Sequence, residues 1–399
     1  MSALVEPVTS VSAAETDTRY TVTVVRGERE LRQHLDAWND LVHHLTEPNA
    51  FYEPWALLPA IRRFAGGLDV SVALVYLSAP GDHPQPLLCG LLPLRRRRLS
   101  PLLPIAVVEP WQHLYCFLCT PLLRDGHAIP ALEALFDWLS GDSLGAPLIR
   151  LKNVSGDSGF AKALAAVCHR RKRPTHTVES YCRAVIEPRI DPDLYVSEAL
   201  HSRRYKSYRK KLRGLAKHGI VEHRVFGPGD CPTTWAEMFL KLEQKGWKGR
   251  QGTAMACAPA DAAFFVELVE GAASAGSLIM LGLFLNGEAL ALECSLSSGA
   301  GAFGFKIAFD EDHAPSSPGW LLQLDTIKLL HSGIGVEWMD SCALPGNSID
   351  QLWTERRLIM TQWVATGRAP GDLLLSMLPF GSWLIRRVRR AAEPKLPMA

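Results

Sequence analysis

The chain predicts an α/β protein in which a mixed central sheet is flanked by helices, laid out as two successive domains. Three observations carry this. Apolar residues alternate at the strand period in some segments and recur every three or four residues in others. The two kinds of segment interleave along the whole chain instead of separating into blocks. The element order of residues 19–190 also returns in residues 191–368, without obvious sequence identity between the halves. Residues 1–18 read as a flexible leader and 369–399 as a basic tail.

Tyr20–Val25 is expected as a strand and Glu28–Leu45 as an amphipathic helix, with a second short helix after the aromatic cluster Phe51, Tyr52 and Trp55. Strand-like runs follow at Val70–Leu77, Leu87–Leu94 and Tyr115–Leu122, then a helix near Ile129–Leu139. A strand at Pro147–Leu151, a helix at Gly159–Arg171 and a strand at His176–Ile186 close the first half. After a link at Glu187–Asp193, helices are predicted over Leu200–His218, Thr233–Lys245 and Ala260–Ala275. The strands Leu278–Leu285, Ala289–Ser297 and Gly301–Phe309 lead into a helix from Pro318, a strand at Gly335–Met339 and a last strand at Leu358–Val364.

The segment from Ala300 to Met339 is the one expected to carry chemistry. Its periodicity changes from strand (Phe303, Phe305, Ile307, Phe309) to helix (Leu321, Leu324, Ile327) across a loop holding Ser316, Ser317, Pro318 and Gly319. Ser317 suits an N-cap, Pro318 the first helical position, and Gly319 a close approach of ligand to backbone. Such a helix start, with unpaired N–H groups and a positive dipole end, can hold phosphate; an ordinary capped helix has the same signature.

Composition narrows the field. The 399 residues carry a formal net charge of +2, so any polyanion must be met by a local patch. Nine cysteines scattered through apolar segments imply reduced thiols and a cytoplasmic location. Cys116, Cys119 and His113 resemble half a zinc site, but no second ligand pair completes it, and no metal is expected. The N-terminus lacks the apolar core of a signal peptide, and no run reaches the roughly 18 to 20 apolar residues of a membrane span.

Three motifs, RRYKSYRKKLRGLAKHG, KGWKGRQGTAM and FKIAFDEDHAPSSPGWLLQLDTIK, followed by a strand ending at Asp340, resemble the CelD-like acetyltransferases of the GNAT superfamily, associated with cellulose biosynthesis. The resemblance is strong over the C-terminal half and weak over the N-terminal half. It implies tandem GNAT-like domains, an arrangement shared with Fem-type peptidoglycan aminoacyl transferases, and acyl transfer from acetyl-CoA or another acyl-CoA to an amine or hydroxyl on a small-molecule or saccharide acceptor. The donor is expected at Ser316, Ser317, Gly319 and Trp320, and the resemblance makes Trp247, Lys248 and Arg250 candidates for the cleft.

On the helix after His201, Arg203, Lys206, Lys210, Arg213 and Lys217 form one face, while Tyr205, Tyr208, Leu212 and Leu215 form the other. Arg203 and Arg209 are candidates for substrate contact; a plain solvated face is the other reading. Tyrosines grouped with leucines argue against stacking on nucleic-acid bases.

Acyl transfer needs a proton acceptor for the nucleophile and a proton source for the departing thiolate. Glu293, in the apolar strand ALALECSL, and Asp340, at a strand end, are the catalytic candidates, with His313 a third. Lys306 is also a catalytic candidate, and an ion pair between it and Glu293 is the plain structural reading of both. The sequence departs from the wider GNAT pattern in two ways: its phosphate loop has a single glycine, and it has no tyrosine after Tyr208 to serve as the acid, leaving Ser341, Cys342 or solvent. Arg95–Arg98 reads as a hairpin turn. Leu373–Arg390 reads either as a solvated terminus or as a peripheral contact with anionic membrane. A Fem-type transferase using aminoacyl-tRNA and a non-catalytic scaffold are the alternatives.

Overall fold

The computed structural model describes residues 19–78, 85–100, 103–141, 145–188, 191–200 and 202–377. The first half contains β1 (Tyr20–Val25), α1 (Gly27–Leu31), α2 (Leu35–Val42), α3 (Pro54–Phe64), β2 (Val70–Leu77), β3 (Leu87–Ser100), β4 (Leu103–Pro110), β5 (Leu122–Leu123), α4 (Ala128–Ser140), β6 (Leu148–Ser155), α5 (Gly159–Arg170) and β7 (Thr175–Ile186). The second contains α6 (Pro192–Ala199), α7 (Ser202–Leu215), β8 (Val221–Val225), α8 (Pro232–Lys245), α9 (Trp247–Arg250), α10 (Pro259–Ser274), β9 (Leu278–Leu285), β10 (Glu288–Ser298), β11 (Gly301–Phe309), α11 (Pro318–His331), β12 (Trp338–Asp340) and β13 (Glu355–Ala365).

All strands join one 13-stranded mixed sheet in the order β1-β2-β3-β4-β6-β13-β7-β12-β11-β10-β9-β8, with β5 on β3. The order reads as two matching arms. In each arm three antiparallel pairings lead to a parallel one, β4 with β6 and β11 with β12. The halves then exchange their last strands: β13, from the end of the second half, pairs with β6, and β7, from the end of the first, pairs with β12. β7 and β13 pair with each other at the centre from Thr175 to Val185. The predicted repeat of element order is therefore real, and the predicted last strand lies in the first half's arm.

Several expectations are corrected. Arg95–Arg98 is not a turn but the end of β3, paired with β4, and the guanidinium of Arg97 lies 3.0 Å from Glu109. Four consecutive arginines interrupt the apolar alternation and hid this strand. Tyr115–Leu122 is not a strand apart from Leu122, the first residue of β5. It is a buried irregular segment whose backbone is satisfied mostly by side chains: Asn49 donates to Leu118 O and Thr120 O, Gln112 to Cys116 O and Arg183 to Phe117 O, while Cys119 N donates to Asn153 O. Cys116 Sγ and Cys119 Sγ lie 4.0 Å apart within it. The predicted helix Leu200–His218 is α7, shorter at both ends, with α6 before it. Its predicted faces hold: Tyr208 and Leu215 are buried, Lys206, Lys210 and Arg213 exposed. The arginines of the basic tail at 386, 387, 389 and 390 lie outside the described residues. Among the described residues, no single helix is long and apolar enough to cross a membrane.

The larger core cluster runs through both halves, from Trp38 and Leu74 to Phe239, Phe265 and Phe303. A second cluster joins α6, α7 and α11 to the sheet through Tyr195, Tyr208, Leu322 and Ile327. The halves also meet where Arg62 and Arg63 of α3 bind Glu267 of α10.

Candidate active site

The site arises where the sheet splits. β11 pairs with β12 only over Gly301–Phe303, then runs on to Phe309 while the other chain turns away after Asp340. Three local features produce the split. Cys342 adopts left-handed backbone (φ 53°), supported by its N–H donating to Asp340 Oδ1 at 2.8 Å. A Cβ on Gly304 would stand 2.9 Å from Ser341 O, so only glycine permits this approach. The β10–β11 register jumps from Cys294↔Lys306 to Ser295↔Gly304, making Phe305 the extra residue of a bulge. A cleft of about 620 Å³ occupies the gap, within the range of small-molecule sites.

Its first wall is the start of α11. Ser317, Gly319 and Trp320 of the expected donor residues line it, with Pro318; Ser316 does not. Ser317 holds the N-cap position in left-handed backbone (φ 53°), but its side chain makes no cap hydrogen bond. Its hydroxyl instead accepts from Lys211 Nζ at 2.5 Å, which sets a cation from α7 beside the positive end of α11. The N–H groups of Trp320 and Leu321 both donate to Ser317 O at 3.1 Å, so the Trp320 N–H is already engaged within the helix start. A Cβ at Gly319 would meet Phe309 Cδ1 at 3.4 Å, an ordinary contact, so packing does not demand the glycine.

Glu293 lies beneath α11, 4% exposed and on the cleft wall. Thr326 Oγ1 lies 2.6 Å from its Oε2, and Gln323 also hydrogen-bonds it. Burial pushes its carboxyl up to about 7, although these hydrogen bonds oppose the shift. Thr326 Oγ1 is also 3.2 Å from Leu322 O. A threonine has one proton to give, so protonated Glu293 can donate to Thr326 while Thr326 donates to Leu322 O. Ionised Glu293 takes the threonine proton itself.

The expected Glu293–Lys306 ion pair is absent. Glu293 stands opposite Ile307 and Lys306 opposite Cys294, so the two side chains leave opposite faces of the sheet. Lys306 Nζ instead binds Glu243 Oε1 at 2.8 Å, sharing it with Lys248 Nζ at 3.0 Å, while Glu243 Oε2 accepts Met255 N–H. Burial lowers the pKa of Lys306 against the pull of Glu243. Lys248, Lys306, Phe305 and Phe117 form the second wall. At the equivalent point of the first half, after β4, the segment carrying Phe117 folds inward and packs its ring against Phe51 and Phe305.

Asp340 is not a free base. It is fully buried, bonded to Arg183 Nη2 at 2.7 Å with Arg357 Nη1 at 3.4 Å, and it does not line the cleft. Trp247 and Arg250 also stand outside the cleft wall. Trp247 is 47% exposed and its N–H donates to Glu311 Oε1 at 2.6 Å, while Arg250 pairs with Glu311, so they anchor the segment before α11. Arg209 is exposed and outside the wall, the Arg203 side chain is outside those described, and His313 stands 3.4 Å from Asp310, also outside the wall. Cys342 lines the cleft, but burial raises its thiol far above the ordinary value; it cannot readily protonate a departing thiolate.

Lys211, Glu243, Gln323 and Trp353 were not anticipated as site residues. Glu243 was findable, since it falls four residues after Phe239 on the buried face of α8. Lys211 had a weaker signal, three residues after Tyr208 at the border of the two faces of α7.

The second half, which holds this cleft, also has a match at the sequence level. Residues 202–348 match the family profile described as an acetyltransferase (GNAT) domain. Among solved structures, the chain is similar to FemX, with a TM-score of 0.54 and 11% identity over 89% of this chain and 99% of that one. It also aligns with a tandem GNAT protein from the clavulanic acid biosynthesis pathway (TM-score 0.41, 14% identity, 86% of this chain and 98% of that one). A third alignment is with the C-terminal domain of a putative lysylphosphatidylglycerol synthetase from Agrobacterium fabrum (TM-score 0.47, 11% identity, 86% and 95%). At these identities the likeness concerns fold alone. No curated protein matches the chain in sequence.

Proposed function

We propose that this protein transfers an acyl group from an acyl-CoA, acetyl-CoA being the simplest, to an amine or hydroxyl acceptor. The observation that carries this reading is the cleft at the sheet split, flanked by the start of α11 and the Lys211 ammonium. The donor phosphates are assigned to Lys211, Ser317 and Gly319. The thioester supplies the activated acyl carbonyl. Glu293, with a carboxyl near 7, exchanges a proton at neutral pH and is assigned as the proton acceptor. Lys306, on the opposite wall, is assigned to stabilise negative charge developing on the acyl oxygen. Solvent is the proton source for the thiolate. The CelD-like motifs support an acceptor in polysaccharide or cell-envelope metabolism.

Calorimetric titration with CoA and acetyl-CoA tests this. Wild-type protein is expected to bind in the micromolar range. Gly319→Val, whose Cβ fits against Phe309 and which adds bulk to a residue of the cleft wall, is expected to weaken binding at least about tenfold. Absence of CoA binding, with salt-sensitive binding of tRNA in its place, would transfer the assignment to an aminoacyl-tRNA donor.

A further inference from the structure

A second cavity, of about 670 Å³, lies in the first half and shares no residue with the cleft described above. Its walls come from α5, from the turn after it, and from β7 and β13. The sheet is distorted at this point. β13 slips register against β6 between Met360 and Gln362, and against β7 between Thr361 and Gln362; Met360 and Gln362 both line the cavity. Such irregularities bend a strand and break its ladder locally, so the cavity has a cause in the fold. Along α5, Ala161, Leu164, Ala165, Cys168 and His169 line it at steps of three and four, which is one stripe of the helix. From Ala161 to His169 that stripe runs about 12 Å at 1.5 Å per residue. It begins apolar and leads to two cations beyond the helix end, Lys172 and Arg173, while no Asp or Glu lines the cavity. Neither cation is in an ion pair among the described residues: Asp137 is held by Arg171, and Asp137 and Asp372 act on Arg173 only at longer range. The Arg173 guanidinium is held in place over the Phe136 ring, with Nη1 donating to Ala365 O at 3.4 Å, and its buried Nε has no hydrogen-bond partner.

We propose that this cavity binds a medium-chain fatty carboxylate, with its alkyl chain along Ala161, Leu164, Ala165 and Met360 and its carboxylate at Lys172 and Arg173. An apolar stripe that ends at two unneutralised cations is complementary to a ligand with an apolar body and one anionic end. The chain gains by leaving water along the stripe, and the carboxylate supplies the counter-charge that the wall lacks. A small inorganic anion uses only the cations, and an uncharged alcohol only the stripe. A sugar phosphate would leave its hydroxyls against apolar side chains without partners. The site stands apart from the acyl-transfer reading, and neither depends on the other.

The experiment titrates the full chain with octanoate, octan-1-ol and acetate by calorimetry. Octanoate is expected to bind at least about tenfold more tightly than either of the other two. Lys172→Asn removes one cation at a position of left-handed backbone (φ 50°), which asparagine tolerates. It is expected to weaken octanoate about tenfold and to leave octan-1-ol within about twofold. Ala165→Trp adds bulk to the stripe from an exposed helical position and is expected to weaken octanoate and octan-1-ol alike, about tenfold or more. Both variants are expected to melt within a few degrees of wild type and to leave the CoA titration unchanged. Octanoate binding no tighter than acetate would reduce the site to a cationic patch and overturn the proposal. Octanoate binding no tighter than octan-1-ol overturns it too, and so does octanoate affinity that neither variant changes. Absence of CoA binding would remove the acyl-CoA reading and leave this proposal standing.

Discussion

Glu293 and Asp340 are both buried carboxyls at strand positions, yet their surroundings give them opposite character. Glu293 meets only uncharged partners, and burial raises it to about 7; Glu53, 4% exposed and hydrogen-bonded to Trp55, is raised to about 7 for the same reason. A carboxyl with a raised folded-state pKa stabilises the fold fully below its unfolded value near 4.5, and that contribution disappears as pH rises towards about 7. Each group is worth at most about 3 kcal/mol over that window. Wild-type stability is therefore expected to fall between about pH 4.5 and 7, and Glu293→Gln to fall less, a difference readable from urea unfolding at several pH values. The same variant is expected to lose the limb near pH 7 from the rate profile of acyl transfer. Asp340 is the reverse case. Asp340→Asn leaves Arg183 buried without its full counter-charge, at a cost of roughly 3 to 5 kcal/mol. A large drop in melting temperature with an unchanged pH profile would confirm that Asp340 serves structure; a shifted profile at unchanged stability would restore it as a base.

The split between β11 and β12 is a property of elements. It depends on where a short parallel ladder stops, on a bulge, and on one glycine that lets two chains pass at close range. Gly304→Ala would drive a methyl group into the Ser341 carbonyl, so the strand or the departing chain must shift. Overpacking of this kind costs roughly 1 to 3 kcal/mol. The expected outcome is a melting temperature several degrees lower together with weaker CoA binding, because Ser341, Cys342 and Gly304 all border the cleft. Equal binding by the variant would mean that the split tolerates displacement.

For the whole molecule, the reciprocal exchange of β7 and β13 makes each arm depend on a strand from the other half. Without it, β6 and β12 would each present an unpaired edge. The continuous core from Trp38 to Phe303 adds to that dependence. Residues 19–190 and 191–377 expressed separately are expected to be insoluble or unfolded, and to form a soluble complex when co-expressed; the intact chain is expected to unfold in one cooperative transition. A half that folds alone with a sharp melting transition would count against this interdependence.

The amino-acid sequence by itself determined the α/β class, the repeated order of elements and the helix start at Ser317-Pro318-Gly319, because these depend on local periodicity and capping signals. It also marked Glu293, since a lone carboxyl among alternating apolar residues signals burial. Tertiary structure alone decided which groups meet. The bulge at Phe305 and the strand register send Lys306 to Glu243 and away from Glu293. Chain crossing brings Arg183 to Asp340 and converts an apparent base into a buried ion pair. Lys211, Gln323 and Trp353 come together from segments separated by up to 142 positions (211 to 353). Pairing across such distances leaves no periodic trace in the chain, because it is set by how the sheet closes on itself.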